Sequence, residues 1–221
     1  MAPAPQTGEH ELVARGRPAS EIAYDYVKAR LLDGRFAGGT LLSENEIAQR
    51  LGLSRTPVRQ AFVQLEAEGL LELYPRRGAL VVPISASEAD DVLEARLLIE
   101  QHAARRAAAA APAAEMRAAI AEQEASLSEP GVRFIQADRR FHLAIVSAAG
   151  NRILTRQYEG LRDRHQRIAA ATLARDPARR ERFLGEHRAI AAALERGDGD
   201  AAAALLGEHL RGAHELVRRG R

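Results

Sequence analysis

The stretch Leu42-Ser43-Glu44-Asn45-Glu46-Ile47-Ala48-Gln49-Arg50-Leu51-Gly52-Leu53-Ser54-Arg55-Thr56-Pro57-Val58-Arg59-Gln60-Ala61 leaves the chain few alternatives. Ile47, Ala48 and Leu51 fall on one face at helical spacing, and Gly52 can take the left-handed conformation that ends a helix. Ser54 is a favourable N-cap, and Pro57 sits in the first turn of a second helix, where its missing N–H costs little. Val58, Ala61, Phe62 and Leu65 give that second helix one apolar side, which leaves Arg55, Thr56 and Arg59 facing away from the core. The pattern predicts a helix-turn-helix. Two arginines and a hydroxyl on the first turns of its second helix suit phosphates and base edges in a major groove. No acidic residue lies between Glu46 and Glu66, although the whole chain mixes 32 basic with 30 acidic residues.

That near balance, a net charge of +2, excludes a polycationic coat, so any nucleic-acid surface must be local. At 221 residues two domains are the natural expectation. The chain has no cysteine, which excludes disulfides and thiolate chemistry and fits a reducing cytoplasm. No apolar run approaches the roughly 18 residues of a membrane span, and the first residues lack a charged segment followed by an apolar one. The expectation is a cytoplasmic protein with no membrane partner.

Residues 1–17 are polar, contain Pro3 and Pro5, and read as a disordered tail. A first helix is expected from Pro18 to Leu32, then the helix-turn-helix. After Glu68-Gly69 the period changes: Leu70 to Tyr74 and Ala79 to Val82 flank Pro75-Arg76-Arg77-Gly78, two short strands and a turn. A basic hairpin directly after a recognition helix is a wing, with Arg76 and Arg77 its expected contacts.

These blocks, namely Leu42-Ser43-Glu44, Ser54 to Arg59, Leu65-Glu66-Ala67-Glu68-Gly69-Leu70 and Pro75-Arg76-Arg77-Gly78, resemble the winged-helix domain of the GntR family of bacterial transcriptional regulators. The resemblance covers about residues 19–83. It implies duplex contacts from Arg55, Thr56 and Arg59, with Ser43, Arg76, Arg77 and Gly78 completing the surface. Gly38-Gly39 stands where the family usually has Pro-Gly, and Gln60 where it usually has glutamate. Asn45 stands where some members carry a further arginine, which would remove one contact.

Residues 84–88 read as a linker, with Ser85 or Ser87 able to cap the next helix, and residues 89–221 as an all-α domain. Stop and start signals at Pro112, Glu129-Pro130-Gly131, Gly150-Asn151, Asp176-Pro177 and Gly197-Asp198-Gly199-Asp200 divide it into six helices, one of them running unbroken from Arg152 to Ala174. Six antiparallel helices predict a bundle with a central cavity. The fold class is therefore mainly α: a winged helix-turn-helix with a small β-hairpin, followed by a helical bundle.

Asp138 and His142 lie one turn apart on the stripe Phe134, Phe141, Ile145. His187 shares a stripe with Phe183, Ile190 and Leu194, and His209 with Leu205, Ala213 and Leu216. The turn near Asp198-Gly199 lies midway between His187 and His209, so an antiparallel pair brings them level. A carboxylate and three imidazoles converging in a bundle suit a divalent transition ion such as Zn²⁺, Ni²⁺ or Mn²⁺, and equally a set of buried histidines hydrogen-bonded to Asp138 and backbone carbonyls. Arg96, inward with Val92, Ile99 and Ala103, either clamps a carboxylate or pairs with Asp91 or Glu100. Asn151, and Arg162 and His165 on the helix after it, are candidates to line the same cavity. His102 and His214 read as surface or packing residues.

Glu94-Ala95-Arg96 through Glu100, Asp138-Arg139-Arg140-Phe141-His142, Gly150-Asn151, Glu186-His187 and His209 are similar to the FCD ligand-binding domain of the FadR subfamily, and a six-helix count resembles its VanR-like branch. That resemblance implies that Asp138, His142, His187 and His209 hold a metal. It implies a homodimeric regulator, most simply a repressor, on a palindromic operator, responsive to a small carboxylate. Two other readings share these residues: a regulator signalled by ion occupancy itself, and a metal-dependent hydrolase with a DNA-binding appendage. The hydrolase would need a general base by the bound water, and Glu186 and Glu208 are expected to project elsewhere.

Overall fold

The structure, a computed structural model, describes residues 16–110, 112–129, 131–176 and 178–219. The expected tail lies, but for its last two residues, outside them. The chain separates into two compact units, one ending at Pro83 and the other beginning at Ile84.

In the first unit, α1 (Ala19–Leu32) buries Ile22, Ala23, Tyr26, Val27, Leu31 and Leu32. The two helices of the helix-turn-helix are α2 (Glu44–Leu51) and α3 (Arg55–Ala67). Ser43 caps α2 by accepting from the Glu46 N–H, and Gly52 ends it in the left-handed conformation at φ 66°. The Leu53 N–H returns to the Ala48 carbonyl at 2.9 Å, which satisfies a carbonyl the helix end would otherwise orphan. Ser54 holds the extended N-cap backbone of α3, but its hydroxyl makes no cap bond. Val58, Ala61, Phe62 and Leu65 are buried, as the apolar spacing requires.

The wing is β2 (Leu71–Tyr74) and β3 (Gly78–Val81), antiparallel with Tyr74 opposite Gly78. A two-residue strand that the sequence did not announce, β1 (Leu41–Leu42), pairs with the other side of β3, giving the order β1-β3-β2. Its approach explains Gly78. At φ 109° the residue is in a region closed to most side chains, and an added Cβ would stand 2.2 Å from the Leu42 carbonyl oxygen.

The second unit is wholly helical among the described residues: α4 (Ala86–Ala107), α5 (Ala113–Ala125), α6 (Val132–Ala148), α7 (Arg152–Gly160), α8 (Arg162–Arg175), α9 (Arg179–Glu195) and α10 (Gly199–Arg219), with one 3₁₀ turn after α4. Ser85 rather than Ser87 caps α4, its Oγ accepting from the Glu88 N–H at 3.0 Å. The helix expected to run from Arg152 to Ala174 is two helices, so seven stand where six were expected. The break falls at Gly160-Leu161, where the Leu161 N–H bonds back to the Tyr158 carbonyl three residues before it. Glycine is a poor helix former, and Leu161 packs on the core instead of continuing the ladder.

Two apolar clusters fill the bundle. One gathers Met116, Phe141, Ile145, Ile190, Leu194 and Leu206; the other holds Phe134, Ile135, Leu173 and Phe183. Along α6, Phe134 belongs to the second and Phe141 to the first, and Asp138 lies between them. A polar layer therefore divides the core. No helix among the described residues is long and apolar enough to cross a membrane.

Gly78→Ala is expected to destabilise the first unit by about 1–3 kcal/mol, since φ and the Leu42 carbonyl both oppose a Cβ. Denaturant unfolding followed on that unit should show a lower midpoint, and an unchanged midpoint would refute the close approach of β1.

Candidate metal centre and nucleic-acid interface

The first unit presents a polar cleft whose walls include Ser43, Glu44, Asn45, Arg55, Arg59 and the wing from Leu73 to Gly78. Arg55, Arg59, Arg76 and Arg77 are all exposed, and Thr56 is exposed on the same first turn of α3. The guanidinium of Arg55 is steered by Glu44, 3.3 Å away. Two sequence candidates act through the backbone: Ser43 Oγ is engaged as the α2 cap, and Gly78 admits β1. Arg76 takes a left-handed φ of 65°, which turns the wing tip.

In the second unit α6 brings Asp138 and His142, α9 brings His187, and α10 brings His209 to one point. One ligand atom from each lies within 4.8 Å of all the others. His187 Nε2 is 3.5 Å from Asp138 Oδ1 and 3.3 Å from His209 Nε2, and His142 Nε2 is 3.8 Å from the same oxygen. His142 and His187 are fully buried and the other two nearly so. Nitrogen and oxygen ligands about 2.1 Å from a common ion stand about 3–4 Å apart, the spacing seen here.

The outer nitrogens are engaged in the same way three times. His142 Nδ1 bonds Glu100 Oε2 at 2.6 Å, His187 Nδ1 bonds Gln123 Oε1 at 2.9 Å, and His209 Nδ1 bonds Glu186 Oε2 at 2.7 Å. All three acceptors require a proton on Nδ1, which leaves each Nε2 as a lone pair aimed inward. Two lone pairs at 3.3 Å cannot bond each other, and His142 Nε2 is buried with no partner. A cation at the centre would meet all of these lone pairs, so the residues fit a metal ion, with their acceptors fixing ring orientation.

Electrostatics agrees. Burial pushes His187 well below its ordinary value, and His209, His142 and Arg96 push the same way. Burial also lowers His209, against the opposing bond to Glu186. These two imidazoles are biased towards the neutral form, the one that ligates. Burial alone would raise Glu100, but Arg96 and His142 hold it well below the usual carboxylate range. Its Oε1 accepts from Arg96 Nε at 2.7 Å and from Tyr158 Oη at 2.9 Å.

Arg96 thus forms the pair with Glu100, yet its Nη2 is buried without a partner. A cavity of about 40 Å³ opens beside the centre, walled by Arg96, Asp138, His165, Phe183 and His209 among others. Arg162 and His165 line an adjoining pocket, which also shares Arg96. Asn151 lies in neither wall: its Oδ1 accepts from the Ile153 and Leu154 N–H groups and caps α7. His102 is exposed, whereas His214 is buried and paired with Asp90 at 2.5 Å.

Sequence reasoning missed Gln123 and misdirected Glu186. Gln123 shares a stripe with the buried Met116 and Ala119, and a lone amide on such a stripe was the available signal. Glu186 was expected to project away, but while its Oε1 accepts from Arg182 on its own helix, its Oε2 reaches across to His209 on the neighbouring one.

Residues 19–81 match the bacterial regulatory proteins of the gntR family, and residues 91–212 match the FCD domain. The HTH-type transcriptional repressor RspR of Escherichia coli (strain K12) is 28% identical, across 91% of this chain and 90% of its own. The Uxu operon transcriptional regulator of the same organism is 32% identical, across 78% of this chain and 76% of its own. Among solved structures, E. coli McbR/YncC superposes with a TM-score of 0.72 over 93% of this chain and all of that one; at 22% identity this speaks for the fold alone.

Gln123→Leu removes the acceptor that orients His187 and also a buried amide nitrogen with no partner. The bundle should stay folded while metal affinity falls about 10–100-fold, read by competition against a chelator. Equal affinity in variant and wild type would show that Gln123 does not orient a ligand.

Proposed function

Since this chain belongs to the GntR family of bacterial regulatory proteins and is a transcriptional regulator carrying an FCD domain, we propose that its hold on a palindromic operator is set by a small carboxylate bound at a divalent metal ion in the helical bundle. The observation that carries this reading is the convergence of three Nε2 lone pairs on Asp138, beside a cavity that Arg96 also walls.

On the operator, Arg55, Thr56 and Arg59 enter the major groove from the first turns of α3, and Arg76 and Arg77 reach the flanking phosphates. One winged helix covers a few base pairs, so a cytoplasmic homodimer reads two half-sites. In the bundle, Asp138, His142, His187 and His209 hold the ion; an N₃O set of this kind accepts Zn²⁺, Ni²⁺ or Mn²⁺. The ion, when bound, supplies a Lewis-acid contact for a carboxylate oxygen. Arg96, whose Nη2 is free of hydrogen bonds, meets the same ligand, and His165, 3.6 Å from Asp138 Oδ2, closes the far wall. Ligand binding then biases the bundle between states that space the two DNA heads differently. Repression is the simplest output, relieved or imposed by the ligand.

Purified protein should contain a stoichiometric transition metal, and carboxylates that bind the folded form should raise its unfolding temperature, by about 2.7 kcal/mol of stabilisation at a hundred times Kd. If the metal alone changes operator affinity fully and no carboxylate changes it further, ion occupancy is the signal and the carboxylate reading fails. Arg59→Ala should cost about 1–3 kcal/mol per half-site in operator binding and leave metal content intact. Retained specific binding would sink the assignment of α3.

A further inference from the structure

Next to Asp138 on α6, Arg139 is a half-buried guanidinium with no hydrogen bond or ion pair to any described residue. Burial lowers it from its ordinary value, and Arg162 lowers it further, against weaker opposition from Glu159, Tyr158 and Asp163. Arg162 is itself exposed and lies 3.5 Å from the carboxylate of the neighbouring Asp163. Both arginines stand in the wall of the pocket at the α7–α8 break, together with Arg96, Tyr158, Glu159 and His165. The one carboxylate in that wall, Glu159, is exposed at the rim.

Arg96 and His165 are shared with the cavity beside Asp138 and His209, so the two spaces meet at these side chains. Arg96 is more than nine-tenths buried, and its Nη2 has no partner. Arg139, and Arg162 with its chain neighbour Asp163 close by, line one pocket with Arg96, whose Nη2 has no partner; together they form a socket for an oxyanion, since planar forks of donors pair with carboxylate or phosphate oxygens two at a time.

Building on the carboxylate reading above, we propose that the effector carries two anionic groups: a carboxylate at the metal centre and a second carboxylate or phosphate held by Arg139 and Arg162. Arg96 lies between the two and can touch both. The inner cavity is about 40 Å³ and the arginine-lined pocket about 10 Å³, room for roughly three water-sized groups and one, so the ligand is short and its second acid group lies towards the exposed Arg162.

The test uses metal-loaded full-length protein and calorimetric titration with acetate, L-lactate, malonate, L-malate and phosphoglycolate. The dianions should bind wild type about tenfold or more tightly than L-lactate, the worth of one charge-assisted bidentate contact. That advantage should vanish in Arg139→Gln and be partly kept in Arg139→Lys, with metal content equal in all three. Stronger binding of phosphoglycolate than of malonate and L-malate would identify the second group as phosphate, and the reverse order as carboxylate. L-lactate binding as tightly as L-malate, or a dianion advantage unchanged by Arg139→Gln, overturns the proposal and leaves the carboxylate reading standing. Absence of binding by every acid, with the metal in place, overturns both.

Discussion

Three neutral imidazoles, each giving its Nδ1 proton to an acceptor behind it, leave three Nε2 lone pairs facing one carboxylate in a buried layer, and much of the second unit is arranged around that conflict. The layer lies between two apolar clusters, which offer its polar atoms no partners. Phe141 stacks on His187 with ring centroids 4.3 Å apart, and Phe183 sets its edge against His209 at 5.1 Å. The rings are therefore clamped by packing as well as by hydrogen bonds. Unpaired buried acceptors cost on the order of 1–3 kcal/mol each. A protein that holds several of them together is pre-organised for a cation.

Glu100 shows how the layer is kept ionised in the right places. It receives Arg96, Tyr158 and His142 at once, all buried, and the balance of charge keeps it a carboxylate despite burial. Replacing such a network with apolar residues would often be neutral for stability, so its retention in a core is explained by what it positions rather than by what it stabilises. Here it fixes the Nδ1 side of one ligand histidine and holds the Nε side of Arg96, leaving Nη2 over.

The parts of this arrangement that depend on periodicity were legible in the sequence, and the parts that depend on lateral reach were not. Asp138 and His142 had to share a face because they are one turn apart. His187 and His209 had to come level because a tight turn near Gly197-Asp198 lies midway between them, and their Nε2 atoms do meet. The winged helix was legible for a similar reason: Gly52 and the apolar side of α3 are local signals with local consequences. Glu186 was misread because its backbone direction says little about a side chain long enough to cross to α10. Gln123 was overlooked because one amide among alanines carries no pattern. The division at Leu161 was missed because Gly160 inside an otherwise helical run is ambiguous, costing about 1 kcal/mol without forcing a stop. Strand β1 is two residues long and has no period to read.

The division at Leu161 also decides what kind of cavity the bundle can have. One continuous helix from Arg152 to Ala174 would present a single straight face. Two helices allow α7 to bury Tyr158 against Glu100 while α8 sets His165 over Asp138, and the pocket opens at the joint between them. Arg162 stands at the first position of α8, directly after the break, and Arg139 faces the same pocket from α6. A kink that looks like a minor departure from the expected helix count is thus what brings cationic side chains from separate helices to one opening. The layer of Asp138 and the three histidines and the arginine-lined pocket meet at Arg96 and His165, so these two side chains are the hinge between the two spaces.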